Sequence, residues 1–165
     1  MRKYLRILSV SLAAFVFMLA FSVAALAETF TGGNMSVEVP AGWKASYQER
    51  LNQIVLESQD GLAVAGVQVV DSGGASHKEF AEALSSALNG SAPQQIDGYN
   101  NYYITVNIDG VDCLITVFVE GPKALVFMEG GANDKYEKEI NAIWNSMKSK
   151  DAAEQAIFAQ LNQNY

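Results

Sequence analysis

The chain has one cysteine, one histidine and three prolines in 165 residues. A single cysteine, Cys113, excludes an intramolecular disulfide. One histidine and one cysteine are too few for a zinc site of the usual ligand set. A Ser-His-Asp arrangement would have to be built on His77, which the pattern places in the first turn of a helix, a solvated position. The sequence contains no Walker loop, dinucleotide fingerprint or EF-hand loop. These absences argue against an enzyme and against a metal or other cofactor.

Basic residues are also scarce, eleven against eighteen acidic. Three of the eleven, Arg2, Lys3 and Arg6, precede an uncharged apolar run from Ile7 to Ala27. A basic start, an apolar middle and the ending Ala25-Leu26-Ala27 form a secretory signal peptide over residues 1–27, cleaved after Ala27. The run is also long enough to span a bilayer, but the small-x-small ending favours cleavage over anchoring. No cysteine stands at the junction, so no lipid anchor is expected. Beyond residue 27, eight basic groups face eighteen acidic ones, a formal charge of −10. That balance argues against nucleic acid or an anionic membrane surface as partner. It suits basic protein partners or cations.

The sequence is rich in alternating apolar runs. From Asn100 to Glu129 three antiparallel strands are expected. Asp109-Gly110 favours a two-residue turn with both central φ angles positive. That turn sets Ile108 against Val111, Val106 against Cys113, Ile104 against Ile115 and Tyr102 against Val117, all on one face. The turn at Glu120-Gly121-Pro122-Lys123 then pairs Val119 with Ala124, Val117 with Val126 and Ile115 with Met128. Leu114, Thr116, Phe118, Leu125 and Phe127 leave the second face apolar enough to need cover. Cys113, mid-strand, is expected as a small buried hydrophobe.

Ahead of this meander, strands are expected at Thr29–Thr31, Met35–Val39, Trp43–Gln48, Gln53–Ser58 and Leu62–Val70. Asp60-Gly61 marks a second hairpin. Ser76 with Glu79 reads as a capping box opening a helix whose stripe is Phe80, Ala83, Leu84, Ala87 and Leu88. Gly90 is expected to end it in the left-handed conformation. A second helix follows a cap at Asn133 or Asp134, with Tyr136, Ile140, Ile143, Trp144 and Met147 apolar. Residues 150–165 hold a short amphipathic helix or tail with Ile157, Phe158 and Leu161. A helix that short needs a surface to dock on.

Two groups are candidate sites. Tyr99, Asn100, Asn101 and Tyr103 gather aromatic area and polar tips at a strand entry, which suits recognition. Ser72, Gly73, Gly74 and Lys78 precede or open a helix and suit an anion. No catalytic residue is proposed.

The Val39-Pro40-Ala41-Gly42-Trp43 entry, the Asp60-Gly61 hairpin, the Ser76–Asn89 helix and the Ile140–Met147 helix with Trp144 occur in an order that resembles the PsbP/Mog1-like family. Its bacterial members include DcrB-like and PsbP-related exported proteins. The resemblance spans Met35 to Ser149, within a single domain at 28–149. It implies an α+β fold, an antiparallel sheet with helices packed on it as an α/β/α sandwich. It also implies a non-enzymatic binding or accessory role without a cofactor. The expectation is therefore an exported envelope protein, periplasmic or secreted, that contacts an unknown envelope protein and has no membrane insertion after cleavage. A small-ligand or cation carrier is the alternative.

Overall fold

The computed structural model describes residues 28–131 and 133–164, with residues 133 and 161–164 described by backbone alone. The expected leader, residues 1–27, and the side chain of Leu161 lie outside the described residues. The elements in order are β1 (Glu28–Gly32), β2 (Met35–Val39), β3 (Trp43–Gln48), a 3-10 turn (Glu49–Leu51), β4 (Gln53–Ser58) and β5 (Ala63–Asp71). Then follow α1 (His77–Leu88), β6 (Gln94–Gln95), β7 (Tyr102–Ile108), β8 (Val111–Glu120), β9 (Lys123–Gly131), α2 (Asn133–Ser146), β10 (Lys148–Ser149) and α3 (Ala152–Asn164).

The meander forms in the expected register. Ile108 pairs with Val111, Val106 with Cys113, Ile104 with Ile115 and Tyr102 with Val117. Val119 pairs with Ala124, Val117 with Val126 and Ile115 with Met128. Asp109 and Gly110 both take positive φ, 50° and 88°, so the turn follows the right-handed twist of its strands. β5 adds beside β9, and the whole antiparallel sheet runs β3-β4-β5-β9-β8-β7-β6. The β4–β5 connection differs in size from a two-residue turn: it takes four residues, 59–62, between Ser58 and Ala63.

Two cores flank this sheet. On one face, α1 lays Phe80, Ala81 and Leu84 over Ile104, Ile115, Val117, Val126 and Met128. Cys113 belongs to this core, and burial next to Asp112 pushes its thiol up to about 11. On the other face Phe118, Leu125, Phe127, Ala65 and Val67 pack with Ile140, Ile143, Trp144, Ile157 and Phe158 of the two C-terminal helices. Trp144 meets Phe127 edge-on at 4.5 Å and Phe118 at 5.5 Å. The result is an α+β sandwich with helices on both faces of an antiparallel sheet.

Two features differ from the sequence reading. β1 and β2 do not extend the large sheet; they join β10 in a separate three-stranded sheet, ordered β1-β2-β10. Its inner side chains, Met35 and Val37, enter the core beneath α2. α1 ends on Asn89, at φ 53°, rather than on Gly90. Asn tolerates the left-handed region, and Gly90 is needed for a different reason. A Cβ there would meet Val106 Cγ1 at 2.7 Å. The question left open for the C-terminal helix is answered by docking: Ile157 and Phe158 of α3 are fully buried.

Candidate functional site

At the end of the sheet where β7 turns into β8, an open cleft of about 810 Å³ lies against the start of α2. Its walls include Asn89 from the end of α1, Thr105 and Asn107 from β7, Asp112 and Leu114 from β8, Gly131 from β9, and Asp134 and Lys135 from α2. Asn107 sits opposite Asp112 in the ladder, and its Nδ2 donates to Asp112 Oδ1 at 2.7 Å. The Gly110 N–H donates to Asn107 Oδ1 at 3.1 Å, so the turn itself holds that side chain. Asp112 is thereby presented in a set orientation, and the exposed Asp134 lines the α2 side of the same cleft. Glu129 pairs with Leu114 on the adjoining strand, and burial raises its carboxyl above the ordinary range.

The one lysine of the cleft wall is already committed. Lys135 Nζ lies 2.9 Å from Asp60 Oδ2 in the β4–β5 loop. Tyr136 OH donates to the same oxygen at 2.5 Å, and Ser58 Oγ donates to Asp60 Oδ1 at 2.8 Å. The Leu62 N–H adds a bond to Oδ1 at 3.2 Å. The Tyr136 hydroxyl, the Lys135 ammonium and the Ser58 hydroxyl together hold the Asp60 carboxyl well below the usual carboxylate range. The Tyr136 hydroxyl and the Asp60 carboxylate hold the Lys135 ammonium above its usual range. This clasp ties the β4–β5 loop to the first turn of α2 and neutralises Lys135. Asp112 and Asp134 then set the sign of the cleft.

The clasp has a pH signature. A carboxyl whose folded pKa is depressed contributes stability above its unfolded value, near pH 4, and loses it as pH falls further. Melting curves between neutral pH and about pH 2 should therefore fall more steeply for the wild type than for Asp60→Asn below roughly pH 4. Parallel curves for the two proteins would show that the clasp adds nothing.

Both groups singled out in the sequence lie at the far end of the sheet. Tyr99, Asn100 and Asn101 form the β6–β7 turn, where Ile96 N–H donates to Asn101 O and Gln95 Nε2 donates to Tyr99 O. Asn101 is not surface material. It is 5% exposed, and its buried Nδ2 has no hydrogen-bond partner. Tyr103 OH donates to Gln94 Oε1 at 2.6 Å, so that phenol tip is occupied by its neighbour strand. Only Asn100 of the four is well exposed.

The glycine loop also has its polar groups in use. Ser72 is buried, its N–H donates to Pro122 O, and its Oγ donates to Gly121 O. Gly73 and Gly74 turn the chain with positive φ. At the helix entry the Glu79 carboxylate itself takes the place an anion would occupy, accepting from Ser76 N–H at 2.9 Å. Lys78 points to solvent, 3.7 Å from Glu82. His77 is half-buried, and desolvation lowers its pKa against the opposing charge of Glu120.

Sequence reasoning missed the cleft because its parts come from five elements, spread from Asn89 to Lys135. Only the Asn107–Asp112 pair was legible, since it follows from the register around Asp109-Gly110. Among the described residues no group of three His, Cys, Asp or Glu side chains is placed to hold a metal ion.

No family model matches the chain, and no curated protein matches it in sequence. Among solved structures it is similar to the solution structure of a cyanobacterial PsbP (CyanoP) from Synechocystis sp. PCC 6803, at 12% identity and a TM-score of 0.46. That match covers 82% of this chain and 98% of the other. It is also similar to a crystal structure from Bacteroides thetaiotaomicron VPI-5482, at 13% identity and a TM-score of 0.44. The match covers 72% of this chain but 46% of the Bacteroides chain, so it spans about half that protein's length. A PsbP protein is thus among the structural neighbours. At this identity the likeness is one of fold alone.

Proposed function

We propose that this is a non-catalytic binding or accessory protein, exported to the bacterial envelope, that contacts a partner protein through the cleft. The observation that supports this reading is the cleft itself: its walls carry the carboxylates of Asp112 and Asp134 together with Asn107 and Thr105, and Lys135 is neutralised by Asp60. Fixed acceptors with negative charge suit a basic, hydrogen-bond-donating segment. The −10 balance beyond residue 27 adds long-range attraction of the same sign. The leader-like residues 1–27 and the resemblance in element order support an envelope partner. Among the described residues no helix is long and apolar enough to cross a membrane.

The test is capture. A photo-crosslinker at Thr105 should trap an envelope protein in intact cells. Asp112→Asn and Asp134→Asn should each weaken recovery by about two- to fivefold, and added salt should weaken it further. Cell fractionation should find the chain outside the cytoplasm without residues 1–27. Equal recovery from wild type and the doubly neutralised protein would remove the cleft from the reading. The carboxylate pair also suits a small cation: a calcium-dependent rise in Tm, with no protein captured, would favour the carrier instead.

A further inference from the structure

We propose that β3 is a pairing edge for a second copy of this chain, joining two seven-stranded sheets through an antiparallel β3–β3 contact centred on Ala45. β3 is the terminal strand of the large sheet. The opposite edge, β6, is only two residues long, which blunts it as a template. β3 has six residues, Trp43–Gln48, and no strand hydrogen-bonded along its outer side; β1 touches it where Gly32 meets the Tyr47 ring, without pairing.

The direction of its main-chain groups follows from the register. Trp43 lies opposite Ser58, and Gln59 N–H donates to Gly42 O at 2.8 Å. Bonded and non-bonded pairs alternate along an antiparallel ladder. Lys44, Ser46 and Gln48 therefore turn their amide groups toward β4. Trp43, Ala45 and Tyr47 turn theirs outward. The Trp43 N–H is used by Pro40 O at 3.1 Å. The Trp43 carbonyl and both groups of Ala45 and Tyr47 remain directed at the open edge.

This strand is self-complementary. A two-fold axis at Ala45 sets Ala45 against the Ala45 of the second copy, Trp43 against Tyr47, and Lys44 against Ser46. The two Ala45 residues exchange two hydrogen bonds. Each Tyr47 N–H reaches the other copy's Trp43 carbonyl, for four bonds in all. Ala45 is small at the axis, and the exposed face carries Lys44 and Ser46. Sliding the pairing one two-residue step toward the N-terminus would place Lys44 against Lys44, and like charges directly opposite are unfavourable. A lysine that guards this edge against general pairing thus also selects the register.

Sedimentation of the purified protein over a rising concentration series tests this. The mass should rise from one chain toward two, and amide exchange at Ala45 and Tyr47 should slow in the concentrated sample. Ala45→Pro removes an outward N–H and no bond to β4, a position where edge strands accept proline. That protein should stay monomeric with the wild-type circular dichroism. Ser46→Lys should weaken the dimer and Ser46→Glu should tighten it, by about two- to tenfold each way. The Ser46 pair decides the matter even if Ala45→Pro misfolds. A wild type that stays monomeric at every concentration overturns the proposal, as does a dimer that ignores both sets of changes. Binding of a different protein's strand at β3 by an otherwise monomeric chain overturns it too.

Discussion

Gly131→Ala is expected to lose about 4 kcal/mol of stability or more, a drop in Tm of roughly 10–20 °C for a domain of this size. Two separate effects combine there. Gly131 has φ 89°, where a side chain costs about 1–2 kcal/mol. In addition, a Cβ at Gly131 would sit on the Leu62 carbonyl oxygen, with the Leu62 carbon at 3.0 Å and Ala63 Cα at 3.2 Å. These are backbone atoms of the β4–β5 loop and the first residue of β5, so no rotamer change relieves the overlap. Gly110 provides the control, with φ 88° and nothing within 4 Å of an added Cβ. Gly110→Ala should cost only the conformational part. The difference between the two variants in urea unfolding isolates the close approach of β9 to the β4–β5 loop. Equal losses would mean that the loop gives way freely. Gly131 also lines the cleft, so a moved loop would disturb the Asp60 clasp and the seat of α2 together.

The contrast between what was legible in the sequence and what was not has a physical basis. The meander was readable because two independent signals agreed there. Asp109-Gly110 demands positive φ twice, and the flanking apolar alternation fits only one register about it. The capping box at Ser76 and Glu79 is likewise local, three residues apart, and it forms. The small sheet was not readable. β10 is two residues long and pairs Ser149 with Met35, so nothing near either residue announces the contact. The Tyr-Asn stretch shows the limit for sites. Residue types suggested recognition, but the tight β6–β7 turn points Asn101 inward and gives Tyr103 OH to Gln94. Composition names what a side chain is able to do; the backbone decides where it faces. The acidic cleft has the converse history. Asp60, Asp112 and Asp134 look like ordinary surface carboxylates until the fold brings their segments together. Only then does the neutralised Lys135 leave the cleft with a sign.

Phe158→Ala should cost about 3–5 kcal/mol, a large share of the roughly 5–15 kcal/mol that holds a domain of this size. The sequence of α3 alone does not suggest so much. It supplies three large apolar residues, Ile157, Phe158 and Leu161, and an isolated helix of 13 residues is marginal in water. What makes it part of the core is the shelf beneath it. Phe158 is 1% exposed and Ile157 is 1% exposed, in one cluster with Phe118, Phe127 and Trp144. Its start is also pinned. Asp151 Oδ1 accepts from Ala153 N–H and Glu154 N–H, and Ser149 Oγ donates to the buried Glu154 Oε2 at 2.6 Å. Lys150 N–H donates to Asn34 O, which anchors the entry to the small sheet. Removing the Phe158 ring leaves a hole facing aromatic rings that cannot collapse without tilting α3, and the pinned entry resists that tilt. Ala159→Ser, on the exposed side of the same helix, should shift the urea midpoint by no more than about 0.5 kcal/mol in equivalent stability. If Phe158→Ala matched Ala159→Ser, α3 would be resting on the domain rather than building it. The helix would then be free to leave for a partner, and partner capture rather than unfolding would be where the change appears.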